Sequence, residues 1–309
     1  MGHDQFSEDE PGEKVADPAR SAGFGEFLFD RDQLRLIDDD DDDDDDEAEE
    51  EALSESIEDE PRTVLITGAS GNVGRKLRSA WADVYDLVLI DRNPSADDYD
   101  VIQADLAVLD DDWITHFHGV DTVVHLAANS NEWAEWDELI GPNLDALANV
   151  FHVAALAGVE RIIFASSTHV MGLYENMGEG PIGSATKPMP DGPYGVTKLV
   201  GERLGRSLAR AFDVSFVALR LGWIQEGANR PETLPHEWAR KMWLSNGDLI
   251  RLFDCAVEAE IEDRSFVLVN GMSRNQGMRW DLSDAAELVG FLPVDDAFSE
   301  GRRSLLEES

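Results

Sequence analysis

Tyr194 and Lys198 stand four residues apart in Pro193-Tyr194-Gly195-Val196-Thr197-Lys198. A helix turns once in about 3.6 residues, so the two side chains share one face. A lysine cation there stabilises the phenolate and draws its pKa down from about 10 toward neutrality. Such a phenolate can take a proton from an alcohol, and a hydroxyl beside it, offered by Ser167 of the Ser166-Ser167 pair, can hold that alcohol in line. Far upstream, Gly68-x-x-Gly71-x-x-Gly74 directly follows an apolar run. Glycines at a strand-to-helix junction allow a tight turn and leave the first helical N–H groups to receive a pyrophosphate at the positive end of the helix dipole. A base for an alcohol proton joined to a dinucleotide cradle describes hydride transfer.

The second apolar run, Leu87-Val88-Leu89-Ile90-Asp91, ends in a carboxylate 23 residues beyond Gly68. A carboxylate there accepts from the adenosine ribose hydroxyls and repels a 2′-phosphate, which favours NAD over NADP as cofactor. Arg92 is adjacent and would accommodate that phosphate if it turned inward.

The elements that must position these groups alternate. Apolar runs at Thr63–Thr67, Leu87–Asp91, Val101–Ala104, Thr122–Leu126, Arg161–Ala165 and Val214–Leu219 read as strands, with helical segments between nearly all of them. The first of these segments is expected from about Val73 to Trp81. Fully apolar strands separated by helices predict an α/β fold, a Rossmann-type doubly wound parallel sheet, with ligands at the C-terminal strand ends. After Arg220 the pattern loosens into loops, a Trp-rich helix around Glu237–Trp243 and a strand candidate at Phe266–Val269. Residues 61–220 are therefore expected mainly to bind the cofactor, and residues 221–309 mainly to form a small substrate cap.

The chain carries 65 acidic and 25 basic residues, a formal net charge of −40. Residues 1–60 hold 26 of the acids and 4 of the bases, with nine consecutive aspartates from Asp38 to Asp46. Such a block repels itself and carries too little apolar surface for a core, so 1–60 is expected to be a disordered acidic tail. The patch Phe24–Phe29 is expected to remain loosely attached with it. Lysine is scarce, at five residues, and scarce lysine with excess carboxylate suits a halophilic cytoplasmic protein, whose self-repulsion salt screens. An ordinary acidic enzyme with an acidic tail is the alternative. The field argues against nucleic acid and membrane as partners. Cys255 is the only cysteine, so neither an intramolecular disulfide nor a cysteine-based metal cluster is available, and no metal is expected. The N-terminus lacks the basic start and apolar run of a signal peptide, and no stretch of about 18 uninterrupted apolar residues occurs. Assembly as a homo-oligomer stays open.

Thr67-Gly68-x-x-Gly71-x-x-Gly74, Asp105-Leu106, His125-Leu126-Ala127-Ala128, Ser166-Ser167 and Tyr194-x-x-x-Lys198 together resemble the extended short-chain dehydrogenase/reductase family, that is, the NAD-dependent epimerases and dehydratases, over about residues 62–225. The resemblance implies that Ser167, Tyr194 and Lys198 are catalytic. It implies NAD bound by Gly68, Ser70, Gly71, Asn72, Val73, Gly74, Asp91, Arg92, Asp105, Leu106, Leu126, Ala127, Ala128 and Asn143, with Tyr194 and Lys198 at its nicotinamide end. Asp105 and Leu106 would meet the adenine, and Ala127 and Ala128 the ribose region. Asn143 matches an asparagine that supports the active site, or else caps the helix after Gly141-Pro142.

Phe164-Ala165-Ser166-Ser167, Pro190-Asp191-Gly192-Pro193-Tyr194 and Trp243-Leu244-Ser245 further resemble the uronate dehydrogenases and the NAD-linked glucose-6-phosphate dehydrogenases of salt-loving archaea. By that resemblance the small-molecule partner is a sugar whose C1 hydroxyl is oxidised to a lactone, with Ser167, Thr168 and His169 lining its site. Trp223 would narrow the pocket or stack on a sugar face. Both sugar types are anionic at carbon 6, so a guanidinium is expected to face that end, Arg240 first and Arg230 second. A nucleotide-sugar epimerase or dehydratase that keeps its NAD is the alternative, and a non-catalytic dinucleotide sensor would have no use for the Tyr194–Lys198 pair.

Because the acidic segment adds charge and no core, a chain starting near Glu60 should fold and turn over like the full chain in molar salt, with low-salt solubility the property that changes. Activity assays on the two forms check this, and loss of activity on truncation would give the tail a role in the enzyme.

Overall fold

The computed structural model describes residues 61–178, 180–261 and 265–299; the expectations for residues 1–60 lie outside them. The apolar runs pair as β1 (Thr63–Thr67), β2 (Asp86–Asp91), β3 (Val101–Gln103), β4 (Thr122–His125), β5 (Arg161–Ser167), β6 (Ser215–Leu221) and β7 (Phe266–Gly271). All ladders are parallel, in the order β3-β2-β1-β4-β5-β6-β7. Strand order reverses between β1 and β4, which opens a crevice at their C-terminal ends. The strands read as unbroken apolar runs because both sheet faces are covered: Val64, Leu65 and Ile66 are all fully buried.

One face packs on α1 (Asn72–Trp81), α7 (Asn246–Glu258) and α8 (Ser283–Val289), through Leu77, Trp81, Leu252 and Phe253 against Ile66, Val124 and Val217. The other face carries α4 (Ala146–Leu156) and α5 (Pro193–Ala211), through Leu147, Phe151 and Leu208 against Leu65, Phe164 and Phe216. The helical run Trp136–Leu156 is long and apolar enough to pass for a membrane span. Its apolarity has a local cause, since Leu147, Val150, Phe151 and Ala154 are buried in that second layer. Short helices α2 (Asp111–Ile114), α3 (Trp136–Leu139) and α6 (Glu237–Lys241) complete the α-helical elements of the described residues.

Two differences from the sequence expectation matter for the site. First, β5 and β6 run on to Ser167 and Leu221, so Ser166 and Ser167 belong to the strand end and are held by its ladder. Second, Phe266–Gly271 lies within the main sheet. It pairs with β6 from Phe216↔Phe266 to Leu221↔Gly271. The open edge of β6 satisfies its backbone, and α7 packs on the sheet face, so less of residues 221–309 is left to stand over the crevice.

Helix α5 lies close on the sheet. A Cβ on Gly201 would come within 2.4 Å of the Phe164 ring, and one on Gly205 within 2.3 Å of the Phe216 ring. Between these glycines, Glu202 accepts from Arg220 Nε and Nη2, each at 2.8 Å, and from Ser166 Oγ at 2.7 Å. The two charged side chains are 4% and 1% exposed. Breaking such a pair leaves a buried charge unmatched. Glu202→Leu should therefore cost about 3–5 kcal/mol in denaturant unfolding at high salt, and Glu202→Leu with Arg220→Met should recover most of it.

Candidate active site

Pro193 opens α5 with its φ already helical, and Tyr194 and Lys198 follow one turn apart on the face toward the crevice. Lys198 is 5% exposed. Its Nζ donates to the Ala165 carbonyl at 2.9 Å and lies 5.7 Å from the centre of the Tyr194 ring. Burial lowers its pKa to about 8. The phenol behaves opposite to expectation: burial raises the Tyr194 pKa to about 12, against a lowering hydrogen bond with Ser167, and the nearby Glu132 charge raises it further. The ammonium is drawn to a backbone carbonyl, so desolvation of the phenolate outweighs its attraction to the cation.

Ser167 ends β5, and its Oγ accepts from the His169 N–H at 3.2 Å. Thr168 is buried beside it. His169 is held at both ring nitrogens, Nδ1 at 2.8 Å from Asp191 Oδ2 and Nε2 at 2.9 Å from Glu132 Oε2. Burial pulls its pKa down, but the Asp191 hydrogen bond and charge and the Glu132 charge outweigh it and leave it raised. The imidazole meets the Tyr194 ring edge-on at 5.5 Å. Glu132 lies beyond β4 in a loop with no periodic pattern, and nothing in the sequence distinguished it from the many other acids.

Asn143 does not serve as a helix cap. It sits in a π-helical turn, Ile140–Asp145, that joins α3 to α4 around Pro142. Its Oδ1 accepts from Asn129 N at 2.7 Å, and its Nδ2 donates to Asn129 O at 3.1 Å and to Thr197 Oγ1 at 3.2 Å. It thus ties the loop after β4 to α5 next to Lys198, behind the wall of the crevice.

At the other end Gly68 has φ 75°, and a Cβ there would lie 2.8 Å from Ala127 N. A Cβ on Gly74 would meet Gly68 O at 2.3 Å. Gly71 begins α1 with no side-chain cap, so the first-turn N–H groups at Asn72, Val73 and Gly74, which line the crevice, have no side-chain acceptor of their own. Asp91 accepts from Ser70 N at 3.0 Å and from Asn93 N at 2.8 Å, which fixes its carboxylate. Ser70 Oγ donates to Asp98 at 2.7 Å, and Asp105 accepts from Ala107 N at 3.1 Å. Leu106, Leu126, Ala127, Ala128 and the exposed Arg92 complete this end.

One cleft of about 680 Å³ joins the two ends. It brings together all the residues expected at the cofactor except Asn143, and it includes Ser167, Thr168, His169 and Trp223. Arg240 is the correction. Its Nη2 donates to Ala297 O at 2.7 Å and its guanidinium lies 4.3 Å over the Phe298 ring, because a buried backbone carbonyl and an aromatic face outcompete open solvent for it. Neither Arg240 nor Arg230 lines the cleft.

The profile of the NAD dependent epimerase/dehydratase family matches residues 64–259. The NAD-dependent glucose-6-phosphate dehydrogenase of Haloferax volcanii is 33% identical over 258 residues, covering 77% of this chain and 95% of that protein. The L-arabinose 1-dehydrogenase (NAD(P)(+)) of the same organism is 34% identical, over 76% of this chain and 97% of that protein. Among solved structures, uronate dehydrogenase from Agrobacterium tumefaciens superposes with a TM-score of 0.65 at 29% identity, over 76% of this chain and 85% of that one.

Tyr194→Phe keeps the ring and removes the ionisable hydroxyl, so turnover should fall by about 10² or more while dinucleotide affinity, read by fluorescence titration, holds. The phenolate is the form that accepts a proton and its pKa is displaced upward, so kcat/KM for alcohol oxidation should climb with pH up to about 8. Above that, where Lys198 gives up its proton, the climb should slacken, and a pH–rate profile checks both limbs.

Proposed function

The chain belongs to the NAD-dependent epimerase/dehydratase family, and from that premise we propose that it is an NAD-dependent dehydrogenase oxidising the C1 hydroxyl of a sugar to a lactone. The observation that carries this reading is the meeting of Ser167, Tyr194 and Lys198 at one end of a cleft whose other end is the Gly68–Gly74 turn. The residues present fit the dinucleotide: the space a Cβ would fill at Gly68 is closed by backbone, and the uncapped start of α1 offers N–H donors to a pyrophosphate. Asp91, oriented by two backbone donors at the end of the second strand, supports the reading that its carboxylate takes the ribose hydroxyls. When bound, NAD supplies the acceptor for the hydride that leaves C1.

The chain's own groups do the rest. Ser167 Oγ holds the C1 oxygen, and Tyr194 Oη removes its proton as the carbon–oxygen bond gains double-bond character. Lys198, fixed by Ala165 O, keeps a positive charge beside the phenol, and Asn143 holds Thr197 and so the turn that carries both. Loss of one proton and one hydride from a cyclic aldose at C1 leaves the lactone. The nearby dehydrogenase relatives, each named for a sugar or sugar phosphate, support this choice over epimerisation.

The charge of −40 and five lysines support a cytoplasmic protein adapted to concentrated salt, with the acidic segment contributing solubility more than chemistry. Purified full-length protein with NAD and a panel of aldoses in molar salt should produce NADH, read by its absorbance. An epimerase returns the hydride and would give no net NADH. Replacing Asp91 with Ala should erode the preference for NAD over NADP by about tenfold or more in kcat/KM, since the repulsion of a 2′-phosphate goes with the carboxylate. Equal kinetics with NADP in the unaltered protein would remove Asp91 from this role.

A further inference from the structure

The charged side chains that line the cleft are Asp91, Arg92, Asp105, Glu132, His169 and Lys198. The first three flank the glycine turn and belong to the ribose and adenine end. At the sugar end, Lys198 is engaged with Ala165 O and faces Tyr194. An imidazolium has two N–H donors, and those of His169 are both taken, by Asp191 at 2.8 Å and Glu132 at 2.9 Å. Among the described residues, no unpaired guanidinium or ammonium lines this end; Arg240 lies outside the lining, with Nη2 on Ala297 O, its plane over Phe298 and its Nε buried without a partner. Glu132 and Asp191 together outweigh the one imidazolium charge between them. A sugar carboxylate or phosphate would meet these carboxylates with only the shared imidazolium between them and the Lys198 ammonium turned to Ala165 O.

The same end is well made for hydroxyls and apolar sugar faces. Glu132 uses Oε2 on His169, and a carboxylate has capacity for further donors. Ser130 and Asn131 flank it along the wall. Trp133, beside Glu132, lines the cleft at 83% exposure, and Trp223 lines it as well. Indole faces give large contact at little entropic cost and suit the C–H face of a pyranose.

We propose that the site takes an uncharged aldose, with the Glu132–His169–Asp191 array reading its hydroxyls and rejecting sugars that carry a carboxylate or phosphate at carbon 6. This rests on the reading of the protein as a sugar C1 dehydrogenase, and it replaces the expectation of an arginine facing an anionic end.

The test is kcat/KM for NADH formation by the full chain with NAD in molar salt, on matched pairs: D-glucose against D-glucuronate and D-glucose 6-phosphate, and L-arabinose against D-galacturonate. The neutral member should lead by about tenfold or more, as expected when an anion meets an unmatched charge. An anionic member equal to or better than its neutral match overturns the inference and leaves the sugar dehydrogenase reading standing. No NADH from any of them overturns both. Glu132→Gln keeps the shape and removes the charge, so it should narrow the neutral-to-anion ratio several-fold, chiefly through the KM of the anionic sugars. An unchanged ratio would overturn the role given to Glu132, and the ratio in the unaltered protein stands as a test even if that variant fails to fold.

Discussion

Glu202 lies almost wholly buried where α5, β5 and β6 meet, and it accepts from Arg220 and Ser166 at once. It allows the helix that begins with Tyr194 and Lys198 to be seated at one height and rotation on the sheet whose β5 ends in Ser166 and Ser167. An apolar contact in the same place would bind as well but could slide. A bidentate guanidinium–carboxylate pair cannot slide without stranding a buried charge. Ser166 brings β5 into the same clamp, so its neighbour Ser167 is located relative to Tyr194 through a single group. The close approach at Gly201 and Gly205 supplies the depth, and Glu202 supplies the register.

With that seat fixed, the electrostatics of the catalytic end follow from burial. Burial makes both Lys198 and Tyr194 resist ionisation, and the lysine's hydrogen bond goes to Ala165 O. The pocket thus holds a weak acid and a weakened cation that gain from charge developing near them during reaction, which is the condition for stabilising a transition state more than a ground state. His125 extends the same logic: buried at the end of β4, its pKa falls to about 3 through desolvation and the Lys198 charge. It stays neutral and serves as a hydrogen-bond partner for Thr67 Oγ1 at 2.8 Å.

Beside Tyr194 the acids are paired differently. His169 bridges two carboxylates from separate parts of the chain, Glu132 from the loop beyond β4 and Asp191 from the approach to α5. That bridge closes the wall beside Tyr194. The excess of acid in this chain is therefore more than a surface property, since two of its carboxylates shape the place where substrate chemistry occurs.

The alternation of apolar runs with helical segments, and the glycines after the first run, were enough to establish the doubly wound sheet, its cofactor turn and Asp91 at the second strand end. Those features depend on local periodicity and on residues with special backbone freedom, which a sequence displays directly. The Tyr194–Lys198 spacing was equally legible because helix geometry converts a separation of four into a shared face. Partners distant along the chain were not legible: Glu202 with Arg220, Asn143 with Thr197, His169 with Glu132, and β7 with β6. Each depends on which surfaces the fold brings together, and an acid or arginine at one position looks like any other until its burial is known. Arg240 shows the limit from the other side, since its charge suited an anionic sugar but its neighbours Ala297 and Phe298 claimed it. Local pattern determined the fold and the Tyr194–Lys198 pair; only tertiary packing decided which charges line the cleft, because desolvation and pairing depend on neighbours that the order of residues does not reveal.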